Sequence, residues 1–185
     1  MAQLKLFMLL LGCKPAGRNT EQHDVFFGIA AQLRDLIPDI QAFWPEAAEK
    51  IHIDGWREVN TVGNYRVEVV AKETVVAQAE QLYFLNLGGY KPGEMEEFHY
   101  KIISVNKDIS EAIQQAKQTT FFKHTSMDSA PAHVDDKYGV DVDDVFPVTD
   151  ILPAHWKEKY RLQLTPVTAA EEDALQLGYF PLSKI

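Results

Sequence analysis

One cysteine in 185 residues rules out a disulfide within the chain and cannot supply the thiolates of a structural zinc ion, so a reducing compartment, the cytoplasm, is expected. A basic surplus is missing as well: 18 Lys and Arg stand against 27 Asp and Glu, a formal charge of -9. With no excess cations to displace counterions from a phosphate backbone, nucleic acid is not an expected partner. Long apolar runs are absent. The run at residues 8–13, MLLLGC, looks like the end of a lipoprotein signal, but it falls far short of the roughly 20 residues that span a bilayer, and no membrane association is expected. There is no low-complexity stretch, Gly-rich phosphate loop, dinucleotide fingerprint or nucleophile-elbow serine. Asp135, Asp136, Asp141, Asp143 and Asp144 lack the glycine turn and closing glutamate of a calcium loop, and they read as solvated.

At 46% hydrophobic and 24% charged, the chain has the apolar material for one sizeable core or two small lobes. What orders it is an internal repeat. The segment at 82–92, LYFLNLGGYKP, repeats the pattern of residues 5–15 in mid-chain, where no signal peptide can sit, so both read as buried strands running into a turn. Phe7, Leu10, Gly12, Lys14 and Pro15 match Phe84, Leu87, Gly89, Lys91 and Pro92 at one spacing. Gly17, Glu21 and His23 then match Gly93, Glu97 and His99. Further on, His52, Asp54, Val59 and Val67 match His133, Asp135, Val140 and Val148.

Strands are predicted at 4–12, 81–88 and 98–105, from their apolar, aromatic and β-branched content, and further ones at 50–59, 65–71, 132–135 and 140–148. Ile109, Ala112, Ile113 and Ala116 have helical spacing behind an Asp108 cap. The matching helix uses Leu33, Leu36, Ile37, Ile40, Phe43 and Trp44, with Pro38 marking a start near Ile37 or a kink. The expected fold is α+β: a tandem internal duplication of a ββαββ-like unit, its helices packed on antiparallel sheet. Residues 1–71 form the first repeat, 72–80 a connection and 81–150 the second, in one pseudo-symmetric domain. The extension at 151–185 is expected to hold a strand at 160–164 and a short helix at 169–177.

The strand ending in LGGYKPGE at 87–94, followed by EFHYK at 97–101, resembles domain of unknown function family 1543. So do the segments GCKP at 12–15, EQHDVFF at 21–27, FWP at 43–45 and HID at 52–54. The likeness covers most of residues 1–165. It implies a bacterial, soluble protein and brings no activity with it.

Any chemistry must therefore come from the repeated polar residues. Glu21 with His23, Glu97 with His99, His52 with Asp54 and His133 with Asp135 each sit two apart, which puts both members on one face of a strand. If those strands are neighbours, the set could hold a divalent metal such as zinc: His23, His52, Asp54, His99, His133 and Asp135 are the candidate ligands. The same residues could act as acid/base pairs, with Lys14, Glu21, His23, Lys91, Glu97 and His99 holding a small polar or anionic ligand, in hydrolase- or isomerase-type chemistry. Each also has a structural reading, as a residue of a polar network or of the hairpin turn that Gly17 and Gly93 permit. Cys13 is expected to be buried, His124 and His155 exposed and unpaired, and the three tryptophans to be core or interface anchors. The alternative to a ligand site is a non-catalytic module that pairs its sheet edges with a second copy, a homodimer.

Overall fold

Residues 5–13, KLFMLLLGC, are apolar at nearly every position, the composition of a strand covered on both faces, and in the computed structural model they form β1 (Lys5–Cys13). The structure describes residues 3–90, 93–118, 140–168, 171 and 173–185. An antiparallel hairpin joins β1 to β2 (Gln22–Ala30), from Lys5 opposite Ala30 to Cys13 opposite Gln22. The turn between them carries Gly17 at φ 79, the left-handed geometry expected of it. After a 3-10 turn at Leu33–Leu36 comes α1 (Ile37–Phe43), with Pro38 in its first turn, where proline is tolerated. A second 3-10 segment, Pro45–Lys50, leads to β3 (His52–Glu58), β4 (Thr61–Val62) and β5 (Tyr65–Ala71).

The second half begins with β6 (Gln81–Tyr90) and β7 (Glu97–Asn106), again an antiparallel hairpin. Helix α2 (Ile109–Ala116) is capped as expected: Asp108 accepts from the Glu111 N–H at 2.9 Å, and Glu111 reaches back to the Lys107 N–H at 3.1 Å. β8 (Val140–Pro147) follows, then the short α3 (Val148–Ile151), α4 (Ala154–Lys159), β9 (Tyr160–Pro166) and β10 (Gln176–Pro181). The chain divides into two units, Met1–Val76 with Leu152–Ile185, and Ala77–Ile151.

In unit 1 the strands order as β10-β3-β1-β2, beside a smaller sheet β4-β5-β9. Side chains alternate faces along a strand. Phe7, Leu9, Leu11 and Cys13 of β1 therefore share one core with Phe26, Ile53 and with Leu36 and Ile40 beneath the sheet, joined by the half-buried Trp44 and Trp56. The even-numbered positions, ending at Gly12, face the other way. In unit 2 the order is β7-β6-β8, and Tyr83, Leu85 and Leu87 pack on Ala112 and Ala116 of α2, so Gly88 likewise lies on the opposite face. No helix among the described residues is long and apolar enough to cross a membrane.

The ββαββ unit can be followed in unit 2 only as β6, β7, α2 and β8, because the strand expected at 132–135 lies outside the described residues. One expectation is corrected here. No helix forms over 169–177 in the described residues, and Gln176 and Leu177 open β10 instead. The cause is tertiary. Asp173 accepts from the Asn60 and Thr61 N–H groups at 2.8 and 2.9 Å, which holds the chain extended so that β10 can pair with β3.

Candidate functional site

Gly12, near the end of β1, has His23 of β2 opposite it on one side and His52 of β3 on the other. The two histidine strands are thus not neighbours. They flank β1 about 10 Å apart, twice the usual strand spacing, and their side chains meet only because nothing projects from the strand between them. A Cβ placed on Gly12 would stand 2.5 Å from both Asp54 Oδ2 and His52 Nε2, and 3.0 Å from Glu21 Oε1. Three donor atoms therefore converge on one point above a residue with no side chain. Asp54 reaches it because the β1–β3 register slips between Leu10 and Leu11, leaving Asp54 as the bulge residue.

Within this cluster His52 Nε2 lies 2.7 Å from Glu21 Oε1 and 3.3 Å from Asp54 Oδ1, with the His52 side chain only 7% exposed. Its other nitrogen, Nδ1, is 3.4 Å from the Lys50 carbonyl. A proton on Nδ1 directed at that carbonyl leaves the Nε2 lone pair aimed between two carboxylates, the arrangement in which a backbone carbonyl orients a metal-ligating imidazole. His23 Nε2 lies 3.2 Å from Asp54 Oδ2 without the alignment of a hydrogen bond, so Oδ2 is buried and unsatisfied. Glu21, His52 and Asp54 can present one ligand atom each to a common ion. Tyr179 of β10 lays its ring over His52, centroids 4.3 Å apart.

Unit 2 carries a second, looser cluster. Gly88 is flanked by His99 of β7 and Asp141 of β8, and the β6–β8 ladder slips between Asn86 and Leu87, the place equivalent to the slip in unit 1. The bulge residue is Asp143, whose carboxylate a Cβ on Gly88 would strike. His99 Nε2 lies 3.4 Å from Asp143 Oδ2 and 4.0 Å from Glu97 Oε2, and these three residues can also share an ion. The register thus sets Asp143 where Asp54 stands and Asp141 where His52 stands, and makes Gly88 rather than Gly89 the counterpart of Gly12. His133, Asp135 and Lys91 lie outside the described residues.

Asp143 is the ligand-type residue missed from the sequence, taken there as a solvated member of an acidic run. Its signal was the alternation Asp141, Asp143 in a segment already read as a strand. Lys14 is exposed just past β1. Cys13 is fully buried with Sγ 3.7 Å from the Ala47 carbonyl, and burial above all, with Glu21 adding and Lys50 opposing, pushes its thiol pKa up. His155 is paired, contrary to expectation: its Nε2 lies 3.3 Å from Asp39 Oδ2, which also accepts from Trp156 Nε1 at 2.7 Å. His124 lies outside the described residues.

No curated protein matches the chain. Protein Il1583 from Idiomarina loihiensis, known from a crystal structure, is similar in fold, with a TM-score of 0.62 and 20% identity over 97% of each chain. A family model matches residues 18–69, narrower than the stretch over which the strand and turn motifs carry the resemblance. This matched segment, which holds Glu21, His23, His52 and Asp54, is similar to the family described as Domain of Unknown Function (DUF1543).

Proposed function

We propose that unit 1 binds a divalent metal of the zinc class through Glu21, His52 and Asp54, with His23 beside them, and uses it on a small polar ligand. The observation that carries the reading is the convergence over Gly12 of a nearly buried imidazole nitrogen and two carboxylates, one with a buried, unsatisfied oxygen. A single proton on Nε2 could serve Glu21 or Asp54 Oδ1 but would leave Asp54 Oδ2 bare, which costs about 1–3 kcal/mol or more for a charged group. A dication answers all three. Mixed imidazole and carboxylate donors suit zinc and its neighbours in the first transition row. Three protein donors leave a coordination position for substrate, as catalytic rather than structural sites do, which supports hydrolase- or isomerase-type chemistry. Lys14, exposed two residues past Gly12, would favour an anionic ligand. Glu97, His99 and Asp143 form a second, more open site of the same kind, and the shared register of β1–β3 and β6–β8 supports a tandem duplication. The single cysteine supports a cytoplasmic location and the family resemblance a bacterial source.

Metal analysis by mass spectrometry of the tag-free protein tests this. Near-stoichiometric zinc-class metal is expected, lost in His52→Ala while the circular dichroism spectrum is kept. Absence of metal, with no uptake on dialysis against zinc, would sink the reading. A second reading, a module pairing edge to edge with another copy, is favoured by the exposed Leu175, Leu177 and Tyr179 along the open edge at β10. A concentration-dependent dimer in sedimentation, with no metal bound, is its expected signature.

A further inference from the structure

We infer that the unit 1 site takes an aromatic ligand, one that offers two oxygen donors to the metal and lays its ring against Tyr179; this rests on the metal reading above. β10 pairs with β3 through Leu177 opposite Gly55 and Phe180 opposite Ile53, so Gly178 and Tyr179 bulge out between them, level with the Asp54 bulge of β3. Gly178 sits at φ 153, a conformation that residues with a side chain rarely adopt. This kink tips Tyr179 onto the imidazole of His52, the rings 4.3 Å apart and inclined at 36°.

Tyr179 covers a face of His52 yet is itself 69% exposed, and Leu177 next to it is 71% exposed. Leu177 leans over Gly55, its Cδ2 3.0 Å from where a Cβ would be. An apolar lip on the β10 side thus borders a polar cluster whose least buried donors, Glu21 and His23, stand on the β2 side. A ligand with its chelating head on the metal over Gly12 and its body turned away from Glu21 and His23, toward β10, would rest against the lip. A flat ring gains there from offset stacking on tyrosine as well as from burial, whereas a small aliphatic group gains little. Among the described residues of unit 2 no strand pairs beyond β8, so no such lip borders Glu97, His99 and Asp143.

Calorimetry on the zinc-loaded 185-residue chain tests this, using benzohydroxamate and acetohydroxamate, which share one chelating head and differ by the ring. Benzohydroxamate is expected to bind about tenfold more tightly. That gap should shrink below about twofold in Tyr179→Ala and survive in Tyr179→Phe, with acetohydroxamate affinity unchanged in both. Zinc bound but equal affinity for the two probes would overturn the aromatic subsite and leave the metal reading intact. Failure to take up zinc would overturn both. A dimer broken by Leu177→Ser and indifferent to either hydroxamate would assign the lip to a second copy and overturn the inference.

Discussion

A methyl group at position 12 would fall where Asp54 Oδ2 and His52 Nε2 now converge. Alanine is better than glycine in a strand by about 0.5–1 kcal/mol, so Gly12→Ala is expected to keep the fold while forcing the donors apart. Zinc affinity, read by competition with a chelating dye, should fall at least about tenfold. Gly88→Ala should weaken only the second site. Cys13 and Tyr83 make a different prediction. Burial raises both pKa values, and for Tyr83 the carboxylates of Asp108, Asp150 and Glu111 add to the rise. Both groups are neutral when protonated, so the unfolded chain loses these protons first. Their stabilising effect is whole below about pH 8.5 and drains as pH climbs above it. The urea midpoint should therefore be lower at pH 10 than at pH 7, and Cys13 should resist thiol reagents until the chain unfolds. The pairs Glu21 with His23 and His52 with Asp54 were legible from two-residue spacing alone. That Asp143 stands at the bulge beside β6 was not, because a strand register is set by ladder hydrogen bonds between segments far apart in the chain.

Local elements followed local rules. Asp108→Ala removes the acceptor that caps α2 and should cost about 1 kcal/mol in urea denaturation, with little change in cooperativity. Pro38 and Gly17 acted as their backbone preferences dictate. The C-terminal strand is the exception. Residues 169–177 have helical spacing, yet a carboxylate accepting two backbone N–H groups and the open edge of β3 outweigh that weak preference. Asp173→Ala is expected to cost about 1–3 kcal/mol. Because β10 also seats Tyr179 on His52, the variant should lose the benzohydroxamate preference along with stability.

Unit 1 is assembled from both ends of the chain. β3 pairs with β10 and β5 with β9, so a fragment ending at residue 76 would leave two strand edges bare and the core short of Phe180 and Leu182. Such a fragment is expected to show no cooperative thermal transition by circular dichroism, whereas the intact chain does. By itself the sequence determined the α+β class, the hairpins, the capped helix and the His and carboxylate pairs that share a strand face, since periodicity and capping act within about ten residues. Tertiary structure alone decided that His23 and His52 flank β1 and both approach Asp54, that Gly12 leaves the space between the two strands, and that β10 brings Tyr179 to the same place. The reason is that these contacts depend on strand order and on register slips, which arise from long-range hydrogen bonding and packing and leave no periodic trace in the chain.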